Sequence, residues 1–199
     1  MKLGEIQRIA VLGSGTMGPG IAQSYAMGGY EVLLYDISKP ALDKARGMLL
    51  ANLDTYVQED LLPVEEADGI YRRITFTNKL SKALDGVQFV QETVAENPGV
   101  KRSVFEQVDA MVSPETIVVS NASSLNPFEL VPESRKANFA AAHWFAPLKS
   151  CLWSKWPKGR RLLRRPWKRF SPCCGHAAKP QFVWKNMYLA TSSTAYRFC

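Results

Sequence analysis

The 199-residue chain is 46% hydrophobic, enough for a packed core in one domain with an appendage. Its formal net charge of +7 averages two unlike segments, because residues 1–147 carry 13 Lys+Arg against 18 Asp+Glu, whereas residues 148–199 carry 12 Lys+Arg and no acid. The total is therefore no argument for nucleic-acid binding by the first segment; the opening Met1-Lys2-Leu3-Gly4-Glu5 has no leader pattern and no apolar run is long enough to span a membrane, so a cytoplasmic protein is expected.

Ile9 to Leu12 form a short apolar run that ends in Gly13, Gly15 and Gly18, and Ile21 to Ala26 follow at helical spacing. A G-x-G-x-x-G pattern between a predicted strand and a predicted helix is the phosphate-binding fingerprint of a dinucleotide fold. Gly13 permits the tight turn, Gly15 admits a pyrophosphate close to the backbone, and Gly18 lets helix and strand pack closely. The helix N-terminus faces the anion with free N–H groups and its positive dipole end.

Glu31 to Tyr35 read as a second strand ending at Asp36, which lies 23 residues past Gly13. A carboxylate there accepts hydrogen bonds from the adenosine ribose hydroxyls and favours NAD over NADP. Asp36 also precedes Ser38-Lys39-Pro40 and a helix, so it can serve as a helix cap as well. Apolar positions from Ala41 to Leu53 recur at helical spacing from Pro40 to about Val57. Residues 59–73 are mixed, a second helix or a turn. Ile74 to Phe76 make a short strand, Lys79 to Leu84 a short helix, Val87 to Gln91 the fourth strand. A helix opens at Pro98 or Gly99 and carries Val104, Phe105, Val108 and Met111; Thr116 to Ser120 and Phe139 to His143 are further strands. Strands alternating with helices predict an α/β fold, a doubly wound, mostly parallel Rossmann-type sheet over residues 1–147.

Ligands in such sheets bind at the carboxyl ends of the strands. Three features sit there: Glu92-Thr93-Val94-Ala95-Glu96-Asn97, Asn121-Ala122-Ser123-Ser124, and His143. Singly, a histidine can be structural and an Asn-Ala-Ser-Ser turn can cap the next helix. Their joint placement favours a site.

Residues 7–147 resemble the NAD-binding domain of L-3-hydroxyacyl-CoA dehydrogenases, including bacterial 3-hydroxybutyryl-CoA dehydrogenases. The resemblance rests on V-L-G-S-G-T-M-G-P-G-I-A, V-L-L-Y-D, V-A-E-N with Lys101 five residues after Glu96, S-N-A-S-S-L, and H-W-F-A-P. It implies that Gly13, Ser14, Gly15, Thr16, Met17 and Gly18 hold the pyrophosphate of NAD and Asp36 the ribose. It implies that Glu96 and Lys101 lie along the cofactor near its nicotinamide half, that Ser123 orients substrate and nicotinamide, and that His143 is the general base. The implied reaction is oxidation of the 3-hydroxyl of an L-3-hydroxyacyl-CoA to the 3-oxo product, with an acyl-CoA as partner and a homodimeric parent enzyme. Ala146 stands where the family often has Asn. A neutral imidazole with a pKa near working pH suits removal of the hydroxyl proton, and the cofactor accepts the hydride. The family supplies a Glu twelve residues after the histidine to support the imidazolium; here that position is Lys155, whose charge disfavours it.

Residues 148–199 show no sustained hydrophobic period and hold all four cysteines and four of the five tryptophans. A basic, tryptophan-rich tail could bind RNA or single strands, or lie on an acidic membrane. Cys173, Cys174 and His176 lack usual zinc spacing and an evident fourth ligand, so no metal is expected. The genetic code gives a different account. Read one base earlier through degenerate codons, Pro147 to Gly159 permits P-E-I-V-P-L-V-E-V-A-K-G, and the stretch from Ser171 permits L-L-R-A-C-G-K-T-P-V-C-V-E-K-Y-V-P-G-Y-L-I-N-R-L. Given TCN for Ser154, Trp153-Ser154 is forced to Val; Trp156-Pro157 is forced to Ala and Trp184-Lys185 to Glu. Both strings resemble the family's own continuation, and they restore a Glu at Lys155 and an Asn at Thr194. Residues 148–199 are therefore read as an irregular, out-of-frame tail with no stable domain, specific for neither nucleic acid nor membrane, in place of the start of a helical C-terminal domain. The rival readings are an NAD-binding protein with a functional basic tail and a lambda-crystallin-type sugar-acid dehydrogenase.

Overall fold

A computed structural model describes residues 6–144, 187–191 and 194–196. Six strands run parallel in the order β3-β2-β1-β4-β5-β6. They are β1 (Arg8–Leu12), β2 (Glu31–Tyr35), β3 (Ile74–Thr77), β4 (Phe89–Glu92), β5 (Ile117–Ser120) and β6 (Phe139–Trp144). The connecting helices are α1 (Gly18–Met27), α2 (Lys39–Gln58), α3 (Val64–Arg72), α4 (Leu80–Leu84) and α5 (Pro98–Met111).

Residues in a strand alternate between its faces, and β1 shows why both faces of this sheet are covered. Ile9 and Val11 join a cluster with Ile21, Tyr25, Leu42, Leu49 and Ile70 from α1, α2 and α3. Ala10 and Leu12 join another with Ala83, Leu84, Phe105 and Val108 from α4 and α5. β1 is central, so from Ile9 to Leu12 its run is apolar, as expected of a parallel strand buried on both sides. The chain moves outward from β1 through β2 to β3, then returns to β1's other side at β4. That reversal opens a crevice between the carboxyl ends of β1 and β4, where such sheets bind ligands.

Helix starts follow local chemistry. Ser38 caps α2, its Oγ accepting from Ala41 N at 3.3 Å, and Asn97 caps α5, its Oδ1 accepting from Gly99 N and Val100 N. The sequence offered Asp36 as a cap for α2; the cap is Ser38, and Asp36 accepts the N–H of Ser38 instead. Residues 64–72 settle as a helix, which buries only Ala67 and Ile70. Two 3-10 turns, Pro127–Glu129 and Glu133–Asn138, lead into β6. Buried Arg135 ties the second turn down by donating to Asp109 and to the carbonyls of Ser113, Pro114 and Thr116.

Two further strands come from the C-terminal segment. β7 (Met187–Thr191) pairs antiparallel with β6, and β8 (Thr194–Tyr196) pairs antiparallel with β7. No strand was expected in this segment from its pattern. The uncharged stretch Met187-Tyr188-Leu189-Ala190-Thr191 nevertheless suits the open edge of β6. Cys173, Cys174, His176 and Lys155 lie outside the described residues. No helix among the described residues is long and apolar enough to cross a membrane.

Candidate active site

The glycine turn is built by steric necessity. Gly13 adopts φ +105°, and a Cβ there would stand 2.5 Å from the carbonyl oxygen of Thr93. A Cβ on Gly18 would stand 2.0 Å from the carbonyl oxygen of Gly13. Gly15 differs: a Cβ there would meet nothing within 4 Å, so its backbone borders open space. Gly15 and Thr16 are exposed, Met17 half-buried, and Ser14 buried beneath them. The turn thus offers exposed backbone next to the start of α1, which fits a pyrophosphate group.

Ser14 points the other way. Its N–H and hydroxyl both donate to Oδ2 of Asp36, at 2.8 and 2.9 Å. Oδ1 of Asp36 accepts from Ser38 N at 2.9 Å. Each carboxylate oxygen can accept two hydrogen bonds, so Oδ1 keeps capacity for a ribose hydroxyl. Asp36 therefore ties the turn after β1 to the end of β2. Ile37 beside it is 82% exposed, an apolar surface at the edge of this carboxylate.

Further along the carboxyl edge of the sheet, Nε2 of His143 lies 2.7 Å from Oγ of Ser123. His143 is on β6 and Ser123 in the loop after β5. Trp144 fixes the strand end that carries His143. Its backbone N–H donates to Asn121 Oδ1 at 2.7 Å and its ring N–H to Gln91 Oε1 at 3.0 Å. Tyr25 donates to the same Gln91 oxygen and packs edge-on against the indole. The Asn121-Ala122-Ser123-Ser124 stretch leads into 3-10 turns rather than into an α-helix, so its role is not that of a helix cap.

Glu96 holds the serine loop. Its Oε1 accepts from the N–H groups of Ser123, Ser124 and Leu125 at 2.8, 2.9 and 3.2 Å. Its Oε2 lies 3.3 Å from Lys101 Nζ. Partial burial pushes the Glu96 carboxyl up, but the N–H donors of Ser124 and Ser123, the Lys101 ammonium and the Leu125 N–H outweigh it and hold the group down at about 2. Lys101 is only 1% exposed and its ammonium is also 2.8 Å from Glu92 Oε1. The family resemblance implies that Glu96 and Lys101 lie along the cofactor. The structure places the lysine inside the protein, as an ionic strut between two carboxylates beneath the serine loop.

Glu92, Gln91, Asn121 and Trp144 are the polar supports that the sequence reading left without a role. Their signal was faint: Gln91 and Glu92 are polar residues at the end of a strand that is otherwise apolar and fully buried. A cavity of ≈ 410 Å³ between α2 and α4, lined by Lys39, Arg46, Phe76 and Lys79 among others, includes none of the site residues. No group of three or more His, Cys, Asp or Glu side chains able to hold a metal occurs among the described residues.

Comparison with known proteins gives the family and the fold. Residues 8–151 match the family described as 3-hydroxyacyl-CoA dehydrogenase, NAD binding domain. The chain is 34% identical over 143 residues to a 3-hydroxyadipyl-CoA dehydrogenase of Escherichia coli K12, covering 71% of this chain and 30% of that protein. It is 33% identical over 143 residues to the 5-formyl-3-hydroxy-2-methylpyridine 4-carboxylate 5-dehydrogenase of Mesorhizobium japonicum, covering 71% of this chain and 45% of that protein. Among solved structures, the 3-hydroxybutyryl-CoA dehydrogenase of Escherichia coli K12 superposes with a TM-score of 0.69 at 32% identity, over 73% of this chain and 31% of that one. The chain thus spans less than half the length of these relatives. It belongs to the 3-hydroxyacyl-CoA dehydrogenase family, and residues 8–151 carry that family's NAD-binding domain.

Proposed function

We propose that the parent enzyme oxidises the 3-hydroxyl of an L-3-hydroxyacyl-CoA to the 3-oxo product with NAD, and runs the reverse reduction with NADH. The observation that carries this reading is the 2.7 Å contact between His143 and Ser123, at the same carboxyl edge of the parallel sheet as the glycine turn. Gly13, Gly15, Thr16, Met17 and Gly18 would line the pyrophosphate, and Asp36, held from beneath by Ser14, would hold the ribose. When bound, the nicotinamide accepts the hydride from the carbon that carries the hydroxyl. Nε2 of His143 takes the hydroxyl proton. The Ser123 hydroxyl, which meets Nε2 in the free protein, would turn to donate to the substrate oxygen once the substrate hydroxyl takes its place at that nitrogen, and so keep it in line with the imidazole.

Residues 148–199 are, on this reading, translated out of frame. The relatives match about the first three-quarters of the chain, and the family match ends at residue 151, close to codon 147. The chain as it stands then binds NADH but turns substrate over poorly, since the Glu expected at Lys155 is missing. Restoring one base at codon 147 and assaying both proteins with NADH and acetoacetyl-CoA tests this. The expected result is turnover by the restored protein and little or none by the 199-residue chain. Equal turnover by the 199-residue chain would overturn the out-of-frame reading. A restored protein that prefers a sugar acid or a pyridine carboxylate would overturn the acyl-CoA assignment, and salt-sensitive RNA binding lost on deleting residues 148–199 would favour a functional tail.

A further inference from the structure

We infer that Glu92 is a positioning residue, the buried junction through which the loops after β4 and β5 are locked so that Ser123 meets His143. The inference rests on the reading of Ser123 and His143 as the reacting pair. Glu92 is 0% exposed at the end of β4. Its Oε1 accepts from Lys101 Nζ at 2.8 Å and from Val94 N at 2.8 Å. Its Oε2 accepts from the Ser120 hydroxyl on β5.

Two arms run from this carboxylate to the serine loop. Along the first, Lys101 bridges Glu92 to Glu96, and Glu96 gathers the N–H groups of Ser123, Ser124 and Leu125. Along the second, Ser120 donates to Glu92 and its oxygen accepts from Ala122 N at 3.2 Å. The backbone adds a third tie, Asn121 N donating to the carbonyl of Glu92 at 2.8 Å. Four consecutive residues of the loop, 122 to 125, thus depend on the one carboxylate. A carboxylate serves here because every partner is a donor, and a glutamine would present a donor of its own to one of them. Glu92, Lys101 and Ser120 are buried and hydrogen-bonded to one another, so weakening one member loosens the rest, and Glu96 carries the effect to the exposed loop.

The test is amide hydrogen exchange by NMR on the full 199-residue chain. In Glu92→Gln, exchange at Ser123, Ser124 and Leu125 is expected to rise at least about tenfold relative to Val11 and Leu34 of the central strands. Asp109→Asn, which disturbs the Arg135 anchor instead, is expected to leave that ratio unchanged. If Glu92→Gln does not fold, Ser120→Ala removes one arm alone and is expected to raise exchange at Ala122 and its neighbours by a few-fold. Exchange that rises uniformly across the chain, or that stays flat at residues 122–125, would overturn the inference. Because the readout needs no substrate, it stands apart from the activity assay: failure of the acyl-CoA reading leaves the exchange pattern untouched.

Discussion

Nε2 of His143 stands 2.7 Å from Oγ of Ser123, although the two residues come from different strand ends. The contact depends on the parallel pairing of β5 with β6, in which Ser120 lies opposite Ala141. It needs no special property of either side chain alone. In the frame-restored enzyme, His143→Gln is expected to lower kcat by about 10²- to 10⁴-fold, the usual worth of a positioned general base. Ser123→Ala removes one hydrogen bond to the substrate oxygen and is expected to cost about tenfold or more. NADH affinity, measured by fluorescence titration, should stay within about twofold of the unsubstituted protein in both variants, since neither residue forms the glycine turn.

The close approach of Gly18 to Gly13 makes a methyl group there intolerable without a backbone shift. Gly18→Ala places its Cβ 2.0 Å from a carbonyl oxygen. The expected loss of stability is about 2 to 4 kcal/mol, read as a drop in the urea midpoint. Gly15→Ala serves as the contrast. Its Cβ enters open space, so folding should be little changed while NADH binding weakens.

Asp36 joins cofactor preference to turn geometry. Asp36→Ala removes the acceptor for Ser14 N, Ser14 Oγ and Ser38 N together with the ribose contact. NADH affinity should fall by about ten- to a hundredfold, the worth of a hydrogen bond to a charged group. Affinity for NADPH should fall less, because the carboxylate that repels a 2′-phosphate is gone. Parallel titrations with the two nucleotides check both outcomes.

Acid should loosen the serine loop before it unfolds the sheet. The Glu96 carboxyl is held down at about 2 against an ordinary value of 4.5. A lowered folded-state pKa gives stability that is complete above the unfolded-state value and is lost as pH falls through the folded-state one. The contribution of Glu96 is therefore full above about pH 4.5 and fades between there and about pH 2. Glu96→Gln should lose this part of the acid dependence. Urea midpoints at neutral pH and near pH 3, compared between the two proteins, measure it.

Much of this arrangement is written locally. The apolar run Ile9 to Leu12, the glycine spacing and the acid at 36 lie within one strand–helix–strand unit, where sequence pattern and geometry coincide. Ser123 and His143 were legible as strand-end residues, and the resemblance gave them roles. The helix at 64–72 was less so, because only Ala67 and Ile70 are buried and the period is too sparse to declare itself. Glu92 and Lys101 were illegible as a pair. They stand nine residues apart on a strand and a helix, and only the folded sheet closes the 2.8 Å between them. The burial of Lys101 has the same origin.

A nucleotide cradled by the glycine turn, with the Ser123–His143 pair at its reacting end, requires that the chain bind NADH before any turnover. Calorimetric titration of the 199-residue chain with NADH tests the cradle most directly. The account predicts a single saturable site, lost in Gly13→Ala, where a Cβ would stand 2.5 Å from Thr93 O, and retained in His143→Gln. No binding by the unsubstituted, folded chain, or equal binding by Gly13→Ala, would contradict it.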